Sequence, residues 1–262
     1  MKIIILAAGE GKRLRPHTND VPKCMVKLAG SSLLSYQLAT IEKCNISMDD
    51  IALVGGYKMD AFGEFCLKKF KNIRYASTNM VATLFCARNF MTYGEDLIIS
   101  YGDIIYEEKV FKALLDCDDS ICVAADIEWE RLWRPRMNNP LDDAETFIID
   151  DELSIKEIGK KPSSFSEVHA QYMGLIKIRG DMVSKFIDSY DRMDKRINYD
   201  GQNFDNMYMT SFIQHLIDTG WQVKASLVKN GWLEVDTVDD LRCYDRMAKD
   251  GSLDDYCLLR KY

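Results

Sequence analysis

Lys12, Arg13, Lys23, Asp103 and Asp236 are the side chains whose types and surroundings in this sequence suit phosphate chemistry. The first two follow a pair of glycines in the run Leu6-Ala7-Ala8-Gly9-Glu10-Gly11-Lys12-Arg13-Leu14. Glycine lets a backbone turn tightly and come close to an anion, and adjacent cations favour one, so the run reads as a phosphate cradle. A tight turn carrying two solvated cations is the alternative reading of a bare GxG. No GxxxxGK followed by Ser or Thr occurs, and Leu14 stands where a dinucleotide fingerprint needs its third glycine. Lys23 follows Pro22, which fixes the local backbone, so it is either a charge neutraliser at a reacting phosphorus or an exposed loop lysine.

Asp103 ends the segment Ser100-Tyr101-Gly102-Asp103 after an apolar run. That is the carboxyl end of an expected strand, where ligands of open α/β sheets gather. Asp236 lies in Glu234-Val235-Asp236-Thr237, just before Asp239 and Asp240, where plain helix capping competes with a functional role. Magnesium takes hard oxygen ligands and commonly uses one or two carboxylates plus substrate phosphates. Two aspartates brought together from distant sequence fit that need, so Mg2+ is the expected cofactor.

These residues need a scaffold, and the apolar pattern predicts one. Short Ile- and Val-rich runs at 2–7, 51–54, 73–76, 97–100 and 121–125 read as strands. Amphipathic stretches at 32–44, 59–69, 81–90 and 109–115 read as helices between them, the alternation of a parallel sheet with flanking helices. Runs at 147–150, 154–158 and 172–178 follow one another without helices, which predicts an antiparallel insert. Helical patterns return at 182–193, 206–219 and 238–249, with a strand at 223–228. With no low-complexity linker and no repeat, residues 1–262 read as one α/β domain. Asp103 falls in its 1–125 half and Asp236 in its 126–262 half.

A net charge of −7 excludes a general nucleic-acid-binding role, which needs an excess of Lys and Arg. No apolar run approaches the roughly 18 residues that span a bilayer, and the Met1–Ala8 stretch runs straight into a charged turn, so it reads as a buried strand. The eight cysteines form no CxxC pair, and several, such as Cys86, sit among apolar residues. They are expected to be mostly reduced core thiols of a cytoplasmic protein.

Extended through Arg15-Pro16 and on to Val21-Pro22-Lys23-Cys24-Met25-Val26, the glycine run resembles the signature of the sugar-nucleotidyltransferase superfamily, LAAGxGxRL followed by PKxx. The resemblance implies a three-layer Rossmann-like fold and transfer of a nucleoside monophosphate with release of pyrophosphate, with the 1–125 half binding nucleotide and the 126–262 half the acceptor together with the second metal-site aspartate. It implies that Leu6, Ala7, Ala8, Gly9, Gly11, Lys12, Arg13, Gly56, Asn79 and Gly102 surround the nucleotide. It makes Lys23, Arg13, Asp103 and Asp236 the catalytic set, with Asp103 and Asp236 holding the metal.

Asn79 with Thr83-Leu84, and Trp232 with Glu234-Val235-Asp236, look closer to the phosphocholine cytidylyltransferase group than to the sugar branch. That implies CTP and a small zwitterionic phosphate or phosphonate: phosphocholine, 2-aminoethylphosphonate or a phosphoamino acid such as phosphoglutamine, of the kind used to decorate bacterial surface polymers. Asn79 then reads a pyrimidine edge or simply caps a helix. In Glu157-Ile158-Gly159-Lys160-Lys161-Pro162, a variant of the sugar family's Glu-Lys-Pro motif, Lys161 is the acceptor-phosphate candidate. The Trp- and Arg-rich stretch 126–136 offers Trp129 and Trp133 to a cationic head group and Arg131, Arg134 and Arg136 to an anion, with Trp232 as a further acceptor candidate. The same composition suits a homodimer interface. The competing functions are a sugar-1-phosphate nucleotidyltransferase using UTP, dTTP or GTP, and a nucleotide sensor that has lost turnover.

Overall fold

Alternation along the first strand sets the architecture. In Lys2–Ala7, Ile3 and Ile5 point into one apolar layer, while Ile4 and Leu6 point into the other. A strand buried on both faces must be central, and in the computed structural model, which describes residues 1–63 and 65–259, it is. The seven-stranded sheet runs in the order Val223–Val228, Ile121–Asp126, Gln171–Ile178, Leu97–Tyr101, Lys2–Ala7, Ile51–Gly55 and Lys68–Lys71. The Gln171–Ile178 strand is antiparallel to both its neighbours, and the remaining pairings are parallel. Helices Leu33–Lys43, Glu108–Asp116 and Val238–Asp250 cover one face, and Met80–Phe85, Val183–Arg192 and Met209–Asp218 cover the other. The fold is therefore a three-layer α/β sandwich with a mostly parallel sheet.

Two expected elements are replaced. Among the described residues of 59–69 the helical part is a 3-10 turn at Met59–Phe62, and the edge strand is Lys68–Lys71 instead of 73–76. Ile73, which carried the strand reading, is 79% exposed. Three lysines around Phe70 suit a sheet edge, where charge discourages pairing with another chain. The 81–90 helix ends at Phe85 and resumes as a 3-10 turn at Arg88–Phe90. The antiparallel insert divides: Phe147–Ile149 and Ile155–Ile158 form a separate hairpin, while Gln171–Ile178 joins the main sheet.

Among the described residues no helix is long and apolar enough to cross a membrane. Cys117 and Cys122 are joined in a disulfide, and the other six cysteines are free. Cys24, Cys243 and Cys257 are buried free thiols, and Cys86 is exposed, not packed in the core.

Candidate active site

The carboxyl ends of Lys2–Ala7 and Leu97–Tyr101 open onto a cleft of about 140 Å³. Leu6, Ala7, Ala8 and Gly9 form one lip, Gly102 and Asp103 another, and Lys23 and Asn79 line it as well. Gly11 lies at φ 61°, the left-handed region, and a Cβ there would come within 3.1 Å of the Lys23 side chain. The turn that follows thus packs directly on the lysine loop. Gly102 donates its N–H to Leu6 O at 2.9 Å, and a Cβ on it would meet that oxygen at 2.7 Å, so only glycine permits the strands to close here. Gln37, fully buried on the Leu33–Lys43 helix, donates to both Tyr101 O and Ile104 O and clamps the turn that presents Asp103.

The second aspartate arrives by a short antiparallel ladder. Trp232–Glu234 pairs with Ile104–Tyr106, and Val235 N–H donates to Asp103 O at 3.0 Å, which places Asp236 beside Asp103. Lys23 Nζ donates to Asp103 Oδ2 and to Asp236 Oδ1, both at 2.6 Å, and Arg13 pairs with the other oxygen of Asp236. Burial opposes the lysine's charge, but Asp103, Asp236 and Glu234 outweigh it and raise its pKa above the ordinary lysine value. Burial and the neighbouring Asp103 raise the Glu234 carboxyl, against the Arg136 cation. Asp103 Oδ1 is buried and has no hydrogen-bond partner. No group of three or more His, Cys, Asp or Glu among the described residues is arranged to hold a metal. Two carboxylates, one with an orphaned oxygen, nevertheless fit a magnesium ion whose remaining ligands are phosphate oxygens and water.

Asp236 immediately precedes a capping box: Thr237 Oγ1 accepts from Asp240 N–H, and Asp240 Oδ2 accepts from Thr237 N–H. Capping is therefore the work of Thr237 and Asp240, which leaves the Asp236 carboxylate facing Lys23 and Arg13.

A second cavity, of about 220 Å³, adjoins the cleft and shares Met80 and Tyr101 with it. Trp133, Tyr172 and Trp232 wall it, and Arg13, Glu234 and Asp236 stand where it meets the cleft. Trp232 is held by Asp126, whose Oδ2 accepts from the indole Nε1–H at 3.0 Å, and Trp133 Nε1–H donates to Asp143 at 3.2 Å.

The other expected acceptor residues are elsewhere. Residues Trp129–Trp133 form a helical turn that sets the two indoles edge to face, 6.1 Å apart, and of the two Trp133 lines the cavity. Trp129 is buried, donates to Val168 O and stacks on Phe165. Arg131 pairs with Glu128 and lies over Tyr256, and Arg134 pairs with Glu130. Arg136 is buried, bonds Asp240 at 2.9 Å and lies 4.5 Å over the Trp133 ring, so it braces the wall from behind. Lys161 donates to Leu141 O and Asp142 O and ties down the loop leading to Asp143. Lys12 is exposed and pairs with Glu10. Gly56 is a packing glycine: a Cβ would strike Tyr75 at 2.6 Å. Asn79 caps its helix through Met80 N–H, while its Nδ2 donates to Asn206 O, so both ends of the amide already hold protein partners. Sequence reasoning named Thr83 only as part of a motif, and it missed Tyr75 and Thr78 in the cleft and Glu145, Gln171 and Thr210 in the second cavity. Only the Thr83 neighbourhood carried a motif.

Residues 3–146 match the MobA-like NTP transferase domain. A CTP:phosphoglutamine cytidylyltransferase from Campylobacter jejuni is 40% identical over 250 residues, covering 92% of this chain and 98% of that protein. Among solved structures, the inositol-1-phosphate CTP transferase from T. maritima superposes with a TM-score of 0.72 at 20% identity, covering 95% of each chain. The CTP:phosphocholine cytidylyltransferase of Streptococcus pneumoniae superposes with a TM-score of 0.69 at 18% identity, covering 94% of this chain and 98% of that one. At such identities the two structures establish the shared fold.

Proposed function

Because the chain belongs to the MobA-like NTP transferase family and is a nucleotidyltransferase, we propose that it transfers CMP from CTP to phosphoglutamine with release of pyrophosphate. The observation that carries this reading is the match to the phosphoglutamine enzyme, 40% identical over 92% of this chain and 98% of that protein's length. An oxygen of the acceptor's phosphate attacks the α-phosphorus of CTP. A new P–O bond forms there as the bond to the β-phosphate oxygen breaks, and the electron pair leaves with pyrophosphate.

Phosphoryl-type transfer needs little covalent help, so positioning and charge neutralisation are the protein's main tasks. Backbone at Ala8 and Gly9 and the Arg13 guanidinium receive the triphosphate, and the Lys23 ammonium offsets charge building up around the α-phosphorus. Asp103 and Asp236 would hold magnesium, which when bound neutralises phosphate charge. Trp133, Trp232 and the carboxylates beyond them take the acceptor.

The test is a pyrophosphate-release matrix of CTP, UTP, dTTP and GTP against phosphoglutamine, phosphocholine, 2-aminoethylphosphonate and glucose-1-phosphate, in magnesium. CTP with phosphoglutamine should give the highest kcat/KM. A higher value for UTP or dTTP with the sugar phosphate would replace this reading with the sugar-1-phosphate one.

A further inference from the structure

The acceptor cavity is more acidic than a phosphate needs. Asp143, Glu145, Glu234 and Asp236 line it, and among its described lining residues Arg13 is the sole cation. Glu234 and Asp236 lie beside Lys23 and Asp103, whereas Glu145 is set apart from that cluster, with Thr210 lining the same cavity. Gln171 also lines the cavity, is only 7% exposed, and has a buried amide oxygen without a hydrogen-bond partner. A carboxylate and an orphaned amide oxygen only accept hydrogen bonds, so the complementary group must bring N–H donors, and preferably charge.

Taking the cytidylyltransfer proposed above as the premise, we infer that Glu145 and Gln171 are specificity-determining residues that receive the acceptor's primary ammonium. The chain then selects phosphorylated amines with N–H donors over trimethylammonium acceptors. A trimethylammonium group satisfies the charge and the aromatic walls, but it leaves the Gln171 oxygen buried and unpaired. Sites built to hydrogen-bond a substrate group strongly reject analogues that lack it. A sugar ring supplies O–H donors and no cation, so it leaves Glu145 without its counter-charge.

The experiment measures kcat and KM for phosphoglutamine, phosphoethanolamine and phosphocholine with CTP, in the wild type, Glu145→Gln, Glu145→Asp and Gln171→Met, each checked for an unchanged circular dichroism spectrum. The wild type should prefer phosphoethanolamine to phosphocholine by about a hundredfold or more in kcat/KM. Glu145→Gln should raise the KM of both primary amines at least about tenfold with CTP KM within about twofold, because only one substrate loses a charged partner. Glu145→Asp should restore part of the loss, and Gln171→Met should narrow the gap between phosphoethanolamine and phosphocholine. The inference is overturned if the wild type prefers phosphocholine, if none of the three acceptors is turned over, or if Glu145→Gln shifts all acceptors equally or none. Turnover of phosphoethanolamine that depends on Glu145, with phosphoglutamine inert, would keep this inference and remove phosphoglutamine as the acceptor.

Discussion

Lys23 connects residues 80 and 213 positions away in sequence, and its ammonium is where the two carboxylates meet. Asp103→Asn or Asp236→Asn should lower kcat by about a hundredfold or more in magnesium with the far-UV spectrum unchanged, and a variant retaining near-normal kcat is not a ligand. Lys23→Ala should depress kcat more than it raises the KM for CTP, since its charge is needed most as the α-phosphorus reacts. Glu145 gives a pH signature. Burial, with Asp143 and Asp200 adding negative charge and Thr210 opposing, pushes its carboxyl up to about 7, and Tyr101 and Tyr172 are the other titratable groups facing it. The carboxylate form that attracts an ammonium is present above that pH and lost below it. The KM for phosphoethanolamine should therefore rise as pH falls through about 7, and this rise should flatten in Glu145→Gln. The same rise in both proteins would trace it to the acceptor's own phosphate. At this scale the cluster of Arg13, Lys23, Asp103 and Asp236 was legible as residues that the fold brings together, because glycines, a Pro-fixed lysine and strand-end aspartates occupy recognisable positions. Glu145 and Gln171 were not, since one lies in a loop and the other opens an apolar strand, and only the folded cavity makes them neighbours.

Elements decide which of the Trp and Arg side chains between 126 and 136 do chemistry. The sequence brought five candidates together, and Trp133 lines the cavity while Trp129 packs edge-on behind it and stacks on Phe165. Arg136 is the informative case, because its composition reads as an anion ligand and its burial makes it a brace between Asp240 and Trp133. Arg136→Ala strands a buried carboxylate and should cost about 3–5 kcal/mol in urea denaturation, while Arg131→Ala and Arg134→Ala, which break exposed pairs, should stay within about 0.5 kcal/mol. Equal small losses at all three would mean that the Arg136 pair is not holding the wall. The element readings that failed, 59–69 and 73–76, lie at the sheet edge, where one face meets solvent and few contacts enforce an apolar period. Central strands were read within a residue or two because burial on both faces leaves an unbroken apolar run.

For the molecule as a whole, the two halves expected from sequence, 1–125 and 126–262, are not separable layers. The Gln171–Ile178 strand from the second half sits between Leu97–Tyr101 and Ile121–Asp126, and Val223–Val228 completes the edge beyond. Each apolar layer also draws residues from both halves, with Ile3, Phe111 and Tyr244 in one and Ile4, Phe85 and Phe212 in the other. Removing either half would leave unpaired strands and two exposed apolar faces, so the chain should unfold as one cooperative unit. All four tryptophans, 129, 133, 221 and 232, belong to the second half, whereas far-UV circular dichroism samples the whole sheet and every helix. Urea transitions followed by tryptophan fluorescence and by circular dichroism should therefore coincide in midpoint and steepness. A fluorescence transition that precedes the dichroism change would show the 126–262 half opening alone. In that case the Asp236 ladder against Ile104–Tyr106 would be a movable contact, and Asp103 and Asp236 would stand side by side only while that half stays closed.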